Sequence, residues 1–253
     1  GRVTGVQTCA LPISSRACQS GSVMVTGSVI VSYKSATLTD GFTSERTRKR
    51  LVTGLRNKGI TDEKVLLAMG SVQRDLFIED ALKSRAYEDT ALPIGYRQTI
   101  SQPFIVALMS QILRSNRDNL GRVLEVGTGS GYQAAVLSGF ADQVYTIERI
   151  QQLLDAAKLR LAPLGINNIS FRHGDGASGW TINAPFDGII LTAAPAVVPT
   201  ILFDQLAEGG ILVAPEGEEQ HQTLVYWKKT HGSVRRFESV SVVFVPMVSG
   251  IMS

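Results

Sequence analysis

The sequence has few of the residues that most often carry covalent or metal chemistry. Its 253 residues include two cysteines and three histidines. Cys9 and Cys18 both lie near the N-terminus, so a catalytic thiol or a disulfide framework in the rest of the chain is excluded. The three histidines, His173, His221 and His231, are scattered and make a poor metal site, and we expect no metal.

Long hydrophobic runs and a strong net charge are also absent. No apolar stretch approaches the ~20 residues that span a bilayer, and the formal net charge of +3 is too small to argue for a nucleic-acid partner. Hydrophobic residues make up 44% of the chain and charged residues 19%, which is ordinary for a globular protein. We expect a cytoplasmic monomer that binds neither a membrane nor a nucleic acid.

The centre of the sequence is a glycine-rich string that follows an apolar strand. A strand is predicted over 123–126, glycines stand at positions 127, 129 and 131, and a helix is predicted over 132–140. Strand, glycine turn and helix in this order are typical of a nucleotide-binding α/β unit. The glycines permit unusual backbone angles and a close approach of the main chain to a ligand. Taken alone, the string also fits a tight strand-to-helix turn.

An acidic residue ends the second predicted strand, 144–147. Glu148 lies 21 positions after Gly127, close to the spacing of about 20 at which such folds place the acid that binds ribose hydroxyls. A carboxylate only accepts hydrogen bonds, so it can hold two donor hydroxyls together. The alternative is a solvated Glu148 paired with Arg149.

The spacing of the glycines and a further acid distinguish between cofactors. Nicotinamide sites usually read Gly-x-Gly-x-x-Gly, whereas this string reads Gly-x-Gly-x-Gly, with Glu125 two positions before the first glycine. A carboxylate there suits a cofactor with an ammonium and a sulfonium group, and would repel a pyrophosphate. The string resembles the first motif of S-adenosylmethionine-dependent methyltransferases. The alternative for Glu125 is a capped strand end.

Two later strands are predicted to end beside the same ligand. Strand 169–172 leads to Asp175, whose carboxylate can accept a hydrogen bond from the exocyclic amine of adenine; the alternative is an Asx-type turn. Strand 186–191 leads to Thr192 and a run of small residues that leave room for a ligand. Ligands bind at the carboxyl ends of parallel strands, so these residues should converge with the glycine string.

The order of elements predicts an α/β domain. Alternating strands and helices favour a mainly parallel sheet covered on both faces, with an antiparallel pair at its C-terminal edge. Residues 41–253 are expected to form this domain, with a helical cap over 41–120 and a cofactor-binding core over 121–253. Residues 1–40 lack a persistent period and the features of a secretory signal. They are predicted to be a poorly structured or non-native extension, with Met24 a candidate natural start.

A polar segment, 94–103, precedes a predicted helix over 104–113. Pro103 fits the first turn of this helix, and Ser101 fits a cap position. The alternative to a functional role for Ser101 is that it simply caps this helix.

Taken together, residues 44–249 resemble protein-L-isoaspartate O-methyltransferase. Residues 98–103, Gln-Thr-Ile-Ser-Gln-Pro, are similar to that family's distinctive pre-helix motif, and 126–132, 174–176 and 244–246 fit as well. Family members commonly have Pro-Gly-Gly where this chain has Ala-Glu-Gly-Gly at 207–210, a departure that should not affect the site. The resemblance implies a Rossmann-like class I methyltransferase fold.

The resemblance also implies an activity and a set of site residues. The expected reaction transfers a methyl group from S-adenosyl-L-methionine to the α-carboxyl of L-isoaspartyl residues in damaged proteins and peptides, which starts repair through a succinimide. Ser101 is the expected active-site residue, with Thr99 as its support. The expected cofactor-binding residues are Glu125, Gly127, Thr128, Gly129, Ser130, Gly131, Glu148, Arg149, Asp175, Gly176 and Thr192.

Two alternatives share part of this pattern. A methyltransferase acting on RNA or a small molecule would have the same cofactor site, and Arg46, Arg48, Lys49 and Arg50 form a short basic cluster that also fits a solvated helix face. A catalytically silent dinucleotide- or protein-binding module would share the fold, but the glycine spacing and Glu125 argue against it.

Overall fold

The computed structural model describes residues 45–115, 117–218 and 221–253. The expectations for residues 1–40, including both cysteines and Met24, lie outside the described residues. In the described ranges, no helix is long and apolar enough to cross a bilayer. The helices are α1 (Glu45–Asn57), α2 (Glu63–Ser71), α3 (Pro103–Arg114), α4 (Tyr132–Ser138), α5 (Gln151–Leu161) and α6 (Thr200–Asp204). The strands are β1 (Leu92–Pro93), β2 (Thr99–Ile100), β3 (Leu120–Val126), β4 (Ala141–Glu148), β5 (Ile169–His173), β6 (Phe186–Leu191), β7 (Leu206–Glu218), β8 (His221–Thr230) and β9 (Ser233–Val242).

A seven-stranded sheet with the order β5-β4-β3-β6-β7-β8-β9 forms the centre of the fold. The pairs from β5 to β7 are parallel, and β8 and β9 continue the sheet as antiparallel strands. The predicted mainly parallel sheet with an antiparallel pair at its C-terminal edge is confirmed. Because the strand order reverses at β3, the crevice beside the carboxyl end of β3 is where such a sheet binds ligands.

The central strands are buried on both faces, as expected for parallel strands in an α/β fold. Residues 123–126 of β3 and 188–191 of β6 are all buried. Successive side chains alternate between two apolar clusters, so Leu124 and Ile189 share one cluster while Val123 and Ile190 share the other. One cluster includes buried residues of α1 to α5, and the other includes residues of α6. Helices therefore cover both faces of the sheet.

One side chain caps α2 and also contacts α3. Thr61 fits a cap position in the sequence, but the N-cap of α2 is Asp62, whose Oδ1 accepts hydrogen bonds from the N–H groups of Lys64 (3.0 Å) and Val65 (3.2 Å). Its Oδ2 also accepts a bond of 2.7 Å from Nε of Arg114. Asp62 therefore joins the start of α2 to the end of α3, which a local cap pattern does not reveal.

The last elements have other bounds than their sequence suggests. Residues 198–206 read as helical in the sequence, but the helix is limited to α6 because Leu206 pairs with Phe186 and already belongs to β7. Residues 239–245 read as a strand, but β9 ends at Val242. The residues after β9 leave the sheet and turn back across its carboxyl edge, where they form part of the site.

Candidate active site

A cavity lies at the carboxyl ends of β3, β4 and β6. Its volume is about 870 Å³ when the space open to solvent at its mouth is included. Eight of the predicted cofactor residues line this cofactor cavity, and Glu125, Gly131 and Asp175 do not. The eight are Gly127, Thr128, Gly129, Ser130, Glu148, Arg149, Gly176 and Thr192. Residues at the ends of β3, β4 and β6, together with Gly176 after β5, therefore meet at one cavity.

The turn between β3 and α4 requires glycine because another side chain lies against it. Gly127 has a φ of +100°, a conformation that side-chain-bearing residues rarely adopt. A Cβ at this position would lie 2.3 Å from Oγ1 of Thr192. That hydroxyl donates to the carbonyl oxygen of Gly127 at 2.6 Å, which joins the end of β6 to the end of β3. Gly131, in contrast, packs against Leu161 and Ala157 behind the wall.

Glu148 presents its carboxylate to the cavity while backbone N–H groups hold it in place. Its Oε2 accepts from the N–H of Gly129 at 2.9 Å, and its Oε1 accepts from the N–H of Ile150 at 3.0 Å. Each carboxylate oxygen has a further acceptor position, so both can also accept hydrogen bonds from ligand hydroxyls. Arg149 is turned elsewhere, since its Nε donates to the carbonyl oxygen of Gly250 at 3.0 Å.

Glu125 lies beneath the cavity and not on its wall. Its side chain is fully buried; Oε2 accepts a bond of 2.5 Å from the hydroxyl of Thr146, and Oε1 has no partner. The Thr146 hydroxyl lies 2.6 Å from that of Thr128, which does line the cavity. Burial raises the pKa of Glu125 to about 8, with a smaller upward contribution from Glu148, and the Thr146 hydrogen bond opposes both. Thr146 and Thr128 therefore lie between Glu125 and the cavity.

Both carboxylate oxygens of Asp175 accept hydrogen bonds from the backbone. Its Oδ1 accepts from the N–H of Ala177 at 2.9 Å, which is the Asx-type turn considered from the sequence, and its Oδ2 accepts from the N–H of Gly250 at 2.7 Å. The following Gly176 does line the cavity, where a Cβ would lie 2.3 Å from Cγ1 of Val126. The glycine thus allows the chain after β5 to approach β3 closely.

The segment after β9 forms part of the cavity wall, a role that its sequence pattern did not predict. It crosses the carboxyl edge of the sheet and pairs with two loops there. Ala194 accepts a hydrogen bond of 2.7 Å from the N–H of Met247, and Arg149 accepts one of 2.7 Å from the N–H of Met252. The signal in the sequence that could have pointed to this wall is a short apolar run, in which residues 244–246 also fit the family. The residues of this segment that line the cavity are Val245, Pro246, Met247 and Val248.

Thr99 and Ser101 lie where the cofactor cavity meets a second, larger groove. The groove has a volume of about 1,420 Å³, and both residues belong to its wall as well as to that of the cavity. The opposite side of the groove is formed by the start of β8 and by residues 241–244. A molecule in the groove and a molecule in the cavity would thus both contact this short segment.

The position of Ser101 in the sequence suggested a cap of α3, but Ser101 does not cap this helix. The N-cap residue is Gln102, and it makes no side-chain cap bond. The N–H of Phe104 instead donates to Oδ1 of Asp89 at 2.8 Å. The Ser101 hydroxyl has no hydrogen bond to any residue in the part of the chain that the structure describes, so it remains available on the walls of both cavities.

The basic cluster on α1 has the character of a solvated helix face. Arg46, Lys49 and Arg50 are exposed, and Lys49 pairs with Glu45 one turn away at 2.7 Å. Arg48 donates to a backbone carbonyl of α2 at 3.1 Å. Within the described ranges, no group of three or more His, Cys, Asp or Glu side chains could hold a metal ion.

Comparisons with known proteins agree with this geometry. Residues 46–252 match the family model described as protein-L-isoaspartate(D-aspartate) O-methyltransferase. The chain is 50% identical over 212 residues to protein-L-isoaspartate O-methyltransferase 1 of Marinobacter nauticus, which covers 84% of this chain and 96% of that protein. It is 52% identical over 211 residues to the Alkalilimnicola ehrlichii protein of the same name, which covers 83% of this chain and 95% of the relative.

Solved structures show the same fold. A protein-L-isoaspartate O-methyltransferase superimposes with a TM-score of 0.73 at 28% identity, covering 81% of this chain and 67% of the other. A Plasmodium falciparum protein assigned to the same family, in complex with S-adenosyl-L-homocysteine, gives a TM-score of 0.69 at 26% identity, covering 79% of this chain and 98% of the other. The predicted class I methyltransferase fold and the predicted resemblance are confirmed. The chain belongs to the protein-L-isoaspartate O-methyltransferase family, the S-adenosylmethionine-dependent enzymes that methylate isoaspartyl residues in protein repair.

Proposed function

We propose that the cofactor cavity binds S-adenosyl-L-methionine and that the groove holds the isoaspartyl segment of a protein or peptide, with its α-carboxylate at Ser101. The observation that carries this assignment is that Thr99 and Ser101 belong to both walls. Methyl transfer between two bound molecules requires such a junction. A free hydroxyl at the junction is a suitable donor to a carboxylate.

The residues of the cavity suit a cofactor with a ribose and charged groups. Glu148 would accept hydrogen bonds from the ribose hydroxyls through oxygens that Gly129 and Ile150 hold in place. The glycine turn would place backbone beside the cofactor, and the close approach of Gly176 to Val126 would bring the chain after β5 beside the base. When bound, S-adenosylmethionine supplies an electrophilic methyl group on sulfur.

The substrate needs little chemical activation from the protein. A carboxylate with a pKa of about 4 is already ionised at neutral pH, so no general base is required. Ser101 would donate one hydrogen bond that orients this carboxylate, with Thr99 in support. A neutral hydroxyl lowers the nucleophilicity of the carboxylate less than a guanidinium would, because the hydrogen bond from a charged donor is stronger. Alignment of two bound reactants can contribute roughly 7–11 kcal/mol to catalysis.

Replacing Ser101 by alanine tests this assignment. Radiolabelled methyl transfer is measured with two peptides that differ only in an aspartyl or isoaspartyl linkage, and with an RNA in a third arm. We expect the wild-type protein to label the isoaspartyl peptide alone, and Ser101→Ala to lose most of that activity. Titration calorimetry with S-adenosylhomocysteine should show little change in affinity. Unaltered turnover in the variant, or labelling of RNA, would refute the proposal.

We also propose that the protein acts as a monomer in the cytoplasm. The cofactor cavity and the groove meet at Thr99 and Ser101, so one chain can hold both reactants side by side. Light scattering after size-exclusion chromatography tests the oligomeric state, and a dimer at working concentrations would contradict it. Fractionation of the source cells tests the location.

A further inference from the structure

The N-terminus of α3 is held by a residue that lies outside the helix. Pro103 has no N–H group, so Phe104 supplies the first N–H donor of the helix. This N–H donates to Oδ1 of Asp89, 15 positions earlier in the chain, at 2.8 Å. The N-cap residue Gln102 makes no cap bond of its own, and its Nε2 instead donates to the carbonyl oxygen of Asp89 at 3.0 Å. Asp89 thus holds the segment before α3 at two points.

This arrangement changes what Ser101 is free to do. Serine is among the best N-cap residues because its hydroxyl accepts from the first free N–H groups of a helix. Ser101 stands just before the helix, yet the Asp89 carboxylate already occupies the Phe104 N–H. The other carboxylate oxygen of Asp89 pairs with Lys58, which offsets a negative charge on the wall of the groove. The Ser101 hydroxyl is therefore left for the groove and the cavity.

We propose that Asp89 is a positioning residue for methyl transfer: by capping α3 in place of Ser101, and by holding Gln102, it keeps the Ser101 hydroxyl free to bind the substrate carboxylate. The inference rests on the proposed function of Ser101. Asp89 itself need not contact the reacting atoms. Its effect on the reaction passes through the segment 99–104.

A pair of substitutions separates the cap from the charge. Asp89→Asn keeps an oxygen that accepts from the Phe104 N–H, whereas Asp89→Ala removes it. We expect Asp89→Ala to lower kcat for the isoaspartyl peptide by about ten- to a hundredfold, the size of effect that a small misplacement produces. Asp89→Asn should stay within about threefold of wild type, since asparagine caps as well as aspartate. The affinity for S-adenosylhomocysteine should be unchanged in both variants, measured below their melting temperatures. An unchanged affinity would show that the cofactor cavity is intact.

The double variant Asp89→Ala/Ser101→Ala tests whether Asp89 acts through Ser101. We expect it to be no slower than Ser101→Ala alone, because residues that act as a unit are not additive. Losses that multiply in the double variant, equal losses in Asp89→Asn and Asp89→Ala, or full activity in Asp89→Ala would each overturn the role of Asp89 while leaving that of Ser101 intact. Full activity in Ser101→Ala would overturn both.

Discussion

The hydroxyl of Thr146 donates a hydrogen bond of 2.5 Å to Oε2 of Glu125, and both side chains are completely buried under the floor of the cofactor cavity. Oε1 of Glu125 has no partner. An ionised carboxylate is therefore poorly compensated there, and burial raises its pKa to about 8. At neutral pH the folded protein keeps a proton on Glu125 that the unfolded chain releases.

This difference predicts how stability depends on pH. The folded state binds more protons than the unfolded state between the ordinary pKa of 4.5 and about 8, so the contribution of Glu125 to the free energy of unfolding falls as pH rises through that window. Glu125→Gln removes the titration, and we expect it to be more stable than wild type at pH 9 by on the order of a few kcal/mol. Near pH 5 the two should be similar. Thermal melts across this range check the prediction, and parallel curves for both proteins would contradict it.

A second prediction concerns the carboxylate of Glu148. Glu148→Ala should weaken S-adenosylhomocysteine binding by roughly 1.5–3 kcal/mol, the value of hydrogen bonds to a charged group, as measured by calorimetry. Glu208→Ala is a matched control, because Glu208 also accepts hydrogen bonds from two backbone N–H groups, those of His231 and Gly232, in the turn after β8. The control should keep full affinity. Equal losses in both variants would show that the effect of Glu148 is structural.

The residues that sequence patterns located well are those whose signals are local. The glycine string was identified by its place between a strand and a helix, and Glu148 by its distance from Gly127. These signals work because a parallel sheet brings the ends of its strands to one edge. The sequence could not show that Glu125 is sealed beneath the cavity, because alternation along β3 predicts a face but not the depth of burial on it.

Local sequence patterns could not predict the roles of residues whose hydrogen-bond partners are distant in the chain. Asp89 caps a helix that begins 14 positions later, and the segment after β9 finds its hydrogen-bond partners at Ala194 and Arg149. Ser101 occupied a cap position in the sequence, so only the geometry revealed that another residue takes that role.

The close approach of Gly127 to Thr192 leads to a third prediction. Gly127→Ala forces a side chain into a φ of +100° and also against the Thr192 hydroxyl. Gly59→Ala provides the control, because Gly59 has a φ of +95° with nothing within 4 Å of the added Cβ. We expect Gly59→Ala to cost about 1–2 kcal/mol of stability, from the backbone alone, and Gly127→Ala to cost clearly more and to weaken cofactor binding. Denaturant unfolding measures the stability of both variants. Equal losses of stability would mean that the protein relieves the contact between the new Cβ and the Thr192 hydroxyl without a further cost.

The last prediction concerns the wall that follows β9. Gln222 is buried, and its amide pairs with both backbone groups of Phe244: Oε1 accepts from the N–H at 2.6 Å, and Nε2 donates to the carbonyl at 3.1 Å. Gln222→Met keeps the volume but leaves both backbone groups without this partner, so we expect a loss of about 1–3 kcal/mol in stability. The chain runs from Phe244 directly into the residues that line the cofactor cavity, so S-adenosylhomocysteine affinity should fall as well.

Gln143→Met is the matched control for this last variant. Gln143 donates from its amide to Ser170 at 3.1 Å on the outer strands of the sheet, away from the cavity. Its loss should lower the melting temperature without changing the affinity for S-adenosylhomocysteine. If Gln222→Met likewise lowered stability and left affinity unchanged, the segment after β9 would hold its place through the contacts of Ala194 and Arg149 alone. A loss of affinity in Gln222→Met but not in Gln143→Met would mean that a glutamine outside the glycine string, and distant in sequence from Glu148, determines the shape of the cofactor cavity.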